Sequence, residues 1–171
     1  MSARDVSPAD LAALRAQLGR DPRGVRAVVV RCADGWPAVV QTDPRLADGT
    51  PFPTFWYLTC RRLSAALSTL ESEGVMRDMQ DRLALDPDLA DRYRRAHVQY
   101  LQSRDEVAVV NEIAGFSAGG MPSRVKCLHA LAAHSLAVGP GVNPFGDEAI
   151  ALVVERGLWP HVGPCVSPDS T

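Results

Sequence analysis

The apolar residues of this chain change from a strand period to a helix period near Cys60, and that change fixes the class of fold the chain can adopt. Before it come short β-branched and aromatic runs, Val25 to Ala33, Ala38 to Gln41 and Thr54 to Thr59, which read as strands. Asp34-Gly35 is a hairpin-type turn, so the first two runs are expected to pair antiparallel. After it, apolar residues return every three or four positions. Leu63, Ala66, Leu67 and Leu70 mark one helix that stops at Gly74, and Met76, Met79 and Leu83 mark a second from Val75 to Leu85. Asp86-Pro87 opens a third, from Asp88 to about Arg104, with a continuation to Ile113 left open. Ser123 to Val138 reads as a further helix, and Asp147 as the cap of a last one that ends at Arg156.

Ahead of the strands, Ser7-Pro8-Ala9-Asp10 has the cap, the first-turn proline and the acidic residue of a helix start, followed by Leu11, Leu14 and Leu18. The expected fold is therefore α+β, a small N-terminal antiparallel sheet of about three strands covered by four to six helices. No internal repeat or linker divides the chain, so residues 1–171 are read as a single domain with a loosely held tail at 157–171.

Composition excludes several classes of function. A net charge of -2 and a sequence pI near 6.1 do not suit general nucleic-acid binding, which needs a concentrated basic face. The densest basic group, Arg92, Arg94 and Arg95, sits among Asp86, Asp88 and Asp91 and reads as a solvated mixed helix face. No apolar run approaches the roughly 20 residues that cross a bilayer, and MSARDVSPAD has no apolar signal core, so a cytoplasmic protein without a membrane contact is expected. Cys32, Cys60, Cys127 and Cys165 form no C-x-x-C pair and are read as thiols or ligands rather than disulfides.

The segment from Gly115 to Asp147 is where chemistry concentrates. Of the 18 basic residues 17 are arginine, and the single lysine, Lys126, lies here with Cys127, His129 and His134. Gly119 and Gly120 precede Ser123, Arg124 and Lys126 at the expected helix start. Freed amides, a positive dipole end, a hydroxyl and two cations there suit a small anionic ligand of phosphate type. The order of residues is not that of a Walker loop. The bland alternative is a plain helix cap with surface cations.

Cys127 beside Lys126 near a helix start would also favour its thiolate, with His134 as a base and the Gly119-Gly120 amides as oxyanion donors. A third reading is a zinc site. On a regular helix Cys127 and His134 share a face while His129 points away, unless the helix begins only at Cys127, in which case its first turn admits His129. Cys60, at the end of the third strand, is the natural additional ligand. Against both stands the helix itself, apolar nearly all round and so expected to be buried, with Cys127 and His134 as packing residues of a non-catalytic interaction module. In that case Trp159 and Pro160 are the first candidates for a partner or homo-oligomer contact.

Three stretches, PFPTFWYLTC (Pro51 to Cys60), GGMPSRVKCLHALAAHSLA (Gly119 to Ala137) and GPGVNPFGD (Gly139 to Asp147), resemble the bacterial family of domain of unknown function 501. The resemblance spans residues 21–156, with RVKCLHA as its most specific core. It implies an uncharacterised cytoplasmic protein and no particular activity. Where relatives read TCP, this chain has Thr59-Cys60-Arg61.

Overall fold

The computed structural model describes residues 6–159. In chain order the elements are α1 (Pro8–Leu18), β1 (Val25–Arg31), β2 (Pro37–Thr42), β3 (Trp56–Leu58), α2 (Arg61–Ser72), α3 (Val75–Leu85), α4 (Pro87–Asp105), a 3-10 turn at Asn111–Ile113, α5 (Leu128–Val138) and α6 (Pro144–Glu155). This is the α+β arrangement expected from the change of period. The strands form one antiparallel sheet in the order β1-β2-β3, with Val28 opposite Val40 and Val39 opposite Leu58.

Local chemistry sets the element ends. Ser7 and Asp10 form a reciprocal capping box at the start of α1, Pro8 stands in its first turn, and Asp86 caps α4 by accepting from the amides of Asp88 and Leu89 at 3.0 Å. The Gln17 side-chain amide donates to the Pro37 carbonyl at 2.7 Å, and Arg31 grips Asp10 through two bonds of 2.7 and 3.0 Å, so α1 is fastened to the sheet. Arg31 holds the Asp10 carboxyl down to about 2.

The inner face of the sheet packs on α5, which also lies against α2 and α6. Leu128, Leu131, Ala132 and Ala133 are all fully buried, as expected of a helix apolar on every side. Trp56 from β3 stacks on His134 from α5 with ring centres 5.0 Å apart, and Tyr100 from α4 meets both rings edge-on. The Tyr100 hydroxyl accepts the Phe55 amide at 2.6 Å.

The third expected helix ends at Asp105, within a residue of the expected Arg104, and the continuation to Ile113 does not form, because the buried Arg104 guanidinium folds the following segment back by donating to the carbonyls of Ile113, at 3.0 Å, and Phe116. Two boundaries differ from the sequence reading. First, α6 is capped by Asn143, whose side chain accepts the Gly146 amide at 3.1 Å, while Asp147 accepts from Gly141. Second, α5 begins at Leu128, five residues after the expected Ser123, for reasons that involve the site described below. Trp159, a candidate partner contact in the sequence, is partly buried against the core, and Pro160 and Cys165 lie outside the described residues. Among the described residues no helix is long and apolar enough to cross a membrane.

Candidate functional site

On α2 the apolar residues Leu63, Leu67 and Leu70 face the core. Ser64, Ser68 and Glu71, spaced four and three apart, form a polar stripe beside them. The imidazole of His129, in the first turn of α5, lies on this stripe. Its Nε2 is 3.0 Å from the Ser64 carbonyl oxygen and 3.3 Å from Ser68 Oγ, and its Nδ1 is 3.2 Å from Glu71 Oε1. The same Glu71 oxygen accepts the Leu128 amide at 2.8 Å. Cys127 sits just ahead of the helix in an extended conformation, at φ -155 and ψ 107. One ligand atom each from Glu71, Cys127 and His129 lies within 4.8 Å of the other two, and all three residues are partly buried.

The electrostatics of the group are mutual. Both nitrogens of His129 face acceptors, the Ser64 carbonyl and the Glu71 carboxylate, so the doubly protonated ring satisfies every contact. Bonding to Cys127 and the charge of Glu71 outweigh burial and raise His129 to about 9. Burial would raise the Cys127 thiol. Bonding to His129 and to the Ala130 amide, with the charge of His129, outweighs it, and the net direction is down.

The loop expected to bind an anion is organised differently. Because α5 starts at Leu128, Gly119 to Lys126 is a turn and an extended run instead of a helix start. Four of its amides are engaged: Met121 donates to Ala118 at 3.3 Å, Arg124 to Gly120 at 2.9 Å, Lys126 to Gly119 at 2.8 Å and Val125 to the Gln80 side chain at 2.9 Å. Gly120, at φ 92, has no room for a side chain, since a Cβ there would stand 2.6 Å from the Arg124 carbonyl oxygen. Of the amides freed at the true helix start, that of Leu128 is taken by Glu71. The anion at this helix N-terminus is thus the protein's own carboxylate. Ser123, Arg124 and Lys126 are exposed.

The structure separates the histidines that the sequence left as alternatives. His134 is fully buried away from Cys127, with Nε2 2.6 Å from Gln99 Oε1 and Nδ1 3.1 Å from the Asn143 amide nitrogen. Burial holds it down to about 4. Cys60 is buried at the N-cap of α2, and neither it nor His134 belongs to the group around Cys127.

A family model described as "Protein of unknown function (DUF501)" matches residues 28–151. The chain belongs to the DUF501 family. No curated protein and no solved structure gives a significant match to it. The matched part of the DUF501 chain includes Glu71, Cys127 and His129 together. Of these, Glu71 escaped the sequence reading. The signal that could have found it is the stripe Ser64, Ser68, Glu71, a polar line at helical spacing beside a buried apolar one.

Proposed function

We propose that this DUF501 protein binds a divalent metal ion of the zinc class at Glu71, Cys127 and His129. The observation that carries the reading is the convergence of a carboxylate, a thiol and an imidazole within 4.8 Å, with His129 Nε2 directed to the Ser64 carbonyl. A metal-bound histidine characteristically donates its second ring N–H to such a carbonyl, which orients the ring and fixes the tautomer. Zinc takes thiolate at about 2.3 Å and nitrogen or carboxylate oxygen at about 2.0–2.2 Å. The Glu71 to His129 separation of 3.2 Å is close to the edge such a tetrahedron requires. Three protein ligands leave one position for water, the pattern of catalytic rather than purely structural zinc, and one that can deliver hydroxide near neutral pH.

Elemental analysis of protein dialysed free of loose metal tests the reading. One zinc per chain is expected in the wild type, with loss in Cys127→Ala and His129→Ala and retention in Cys60→Ala. Wild-type protein without stoichiometric metal ends it.

A further inference from the structure

The face of the sheet turned away from α5 carries a second concavity, independent of the group at Cys127. Its floor is built by cross-strand partners, Val40 opposite Tyr57 and Thr42 opposite Val25. One wall is the segment 43–53, which presents Leu46 and Phe52 and is held in shape by its own bonds. Leu46 donates to Thr50 at 2.9 Å and Phe52 to Pro44 at 2.8 Å, while Arg45 and Pro51 form a bridge. The Arg26 to Asp43 pair at 2.8 Å and the Arg45 to Glu112 pair at 2.6 Å tie that wall to the body. The opposite wall is Leu18, at the end of α1, followed by Pro22. The space between the walls, open to solvent on one side, is about 420 Å³, within the range of small-ligand sites.

Charge enters this apolar space from one side only, through Arg20 and Arg23. Arg23 is paired with Asp48, and the neighbouring Asp21 carboxylate is paired with Arg15. Arg20 is exposed, donates to the Asp21 carbonyl at 3.2 Å, and has no carboxylate partner among the described residues. The rim therefore presents one cation in excess above an apolar floor. We propose that this cavity binds a small amphipathic monoanion, an aryl or branched alkyl body with a single carboxylate or sulfonate, the body over Val40 and Tyr57 and the head on Arg20. Arg20 supplies one charge-assisted contact for the head, and the apolar floor takes the body.

Fluorescence titration of the full chain at low salt tests this, with 1-anilinonaphthalene-8-sulfonate as the anionic probe and N-phenyl-1-naphthylamine as its uncharged counterpart. The wild type should bind both saturably. Arg20→Ala should weaken the sulfonate about tenfold, near 1.4 kcal/mol, and leave the neutral probe within about twofold. Thr50→Trp, which puts an indole at the exposed rim, should abolish both while the far-UV circular dichroism is unchanged. Leu18→Trp serves as the blocking variant if Thr50→Trp does not fold. Absence of saturable binding, equal losses of both probes in Arg20→Ala, or undiminished binding in the folded blocking variant would each overturn the proposal.

Discussion

Glu71 Oε1 lies 3.2 Å from His129 Nδ1 and 2.8 Å from the Leu128 amide, so one carboxylate both fixes the start of α5 and faces the imidazole beside Cys127. The two roles separate by substitution. Glu71→Gln keeps an acceptor for the Leu128 amide but removes the negative charge. We expect a native fold and zinc affinity lowered at least about tenfold, read by competition with a chromophoric chelator. Glu71→Ala removes the acceptor as well and should cost a further ~1 kcal/mol in urea denaturation. Unchanged affinity in Glu71→Gln would remove the carboxylate from the ligand set.

Thiol labelling distinguishes Cys127 from the other described cysteines. Cys32 and Cys60 are buried, whereas Cys127 is partly exposed and its thiol is lowered by His129. Iodoacetamide at neutral pH should therefore modify Cys127 first in chelator-treated protein, and Cys32 and Cys60 only on unfolding. Added zinc should suppress the reaction, and His129→Ala should slow it in the metal-free protein. Equal labelling with and without zinc would place the metal elsewhere.

How much of this was legible depended on whether the deciding contact was local. Ser7, Asp10 and Asp86 act within three residues of themselves, and their caps could be read directly. The start of α5 could not. Ser123 to Lys126 has the residues of a helix start, but Gln80 of α3 captures the Val125 amide and touches the Ser123 carbonyl, holding the strand-like run open until Glu71 of α2 takes the Leu128 amide. These partners lie 43 to 57 residues away. The same displacement decides the site. With Cys127 ahead of the helix, the shared face with His134 that an earlier start implies does not exist, and His129 takes its place. The cation-rich loop was visible as composition, yet its Val125 amide is taken by Gln80, a pairing that no local pattern announces.

His134 carries a pH dependence of opposite origin to that of His129. The Asn143 amide donates to Nδ1 and Gln99 Oε1 accepts from Nε2, so the ring is held neutral, and burial lowers it from 6.5 to about 4. A histidine lowered in the folded state contributes stability that is complete above pH 6.5 and is lost as pH falls toward 4. The full effect is on the order of 3 kcal/mol. Urea midpoints measured from pH 8 to pH 4 should fall more steeply for the wild type than for His134→Asn, and the His134 ring resonances should stay constant from pH 8 to pH 5. A His134 titration near 6.5 would contradict this account.

The close approach of α5 and α6 rests on Gly146. A Cβ at this position would overlap the Leu131 carbonyl oxygen and the Ser135 hydroxyl and stand 2.7 Å from the Leu131 carbonyl carbon. The obstacle is mainly helix backbone, which cannot swing aside as a side chain can, so relief requires the two helices to separate. Separation would also strain Asn143, which caps α6 through the Gly146 amide and bonds His134 at 3.1 Å. Gly146→Ala should therefore cost about 3 kcal/mol or more, although alanine favours a helix interior over glycine by about 1 kcal/mol. Loss of the near-UV dichroism of Trp56, which stacks on His134, should accompany the fall in the urea midpoint. A change under about 1 kcal/mol would mean that the α5–α6 spacing is set by something other than this glycine.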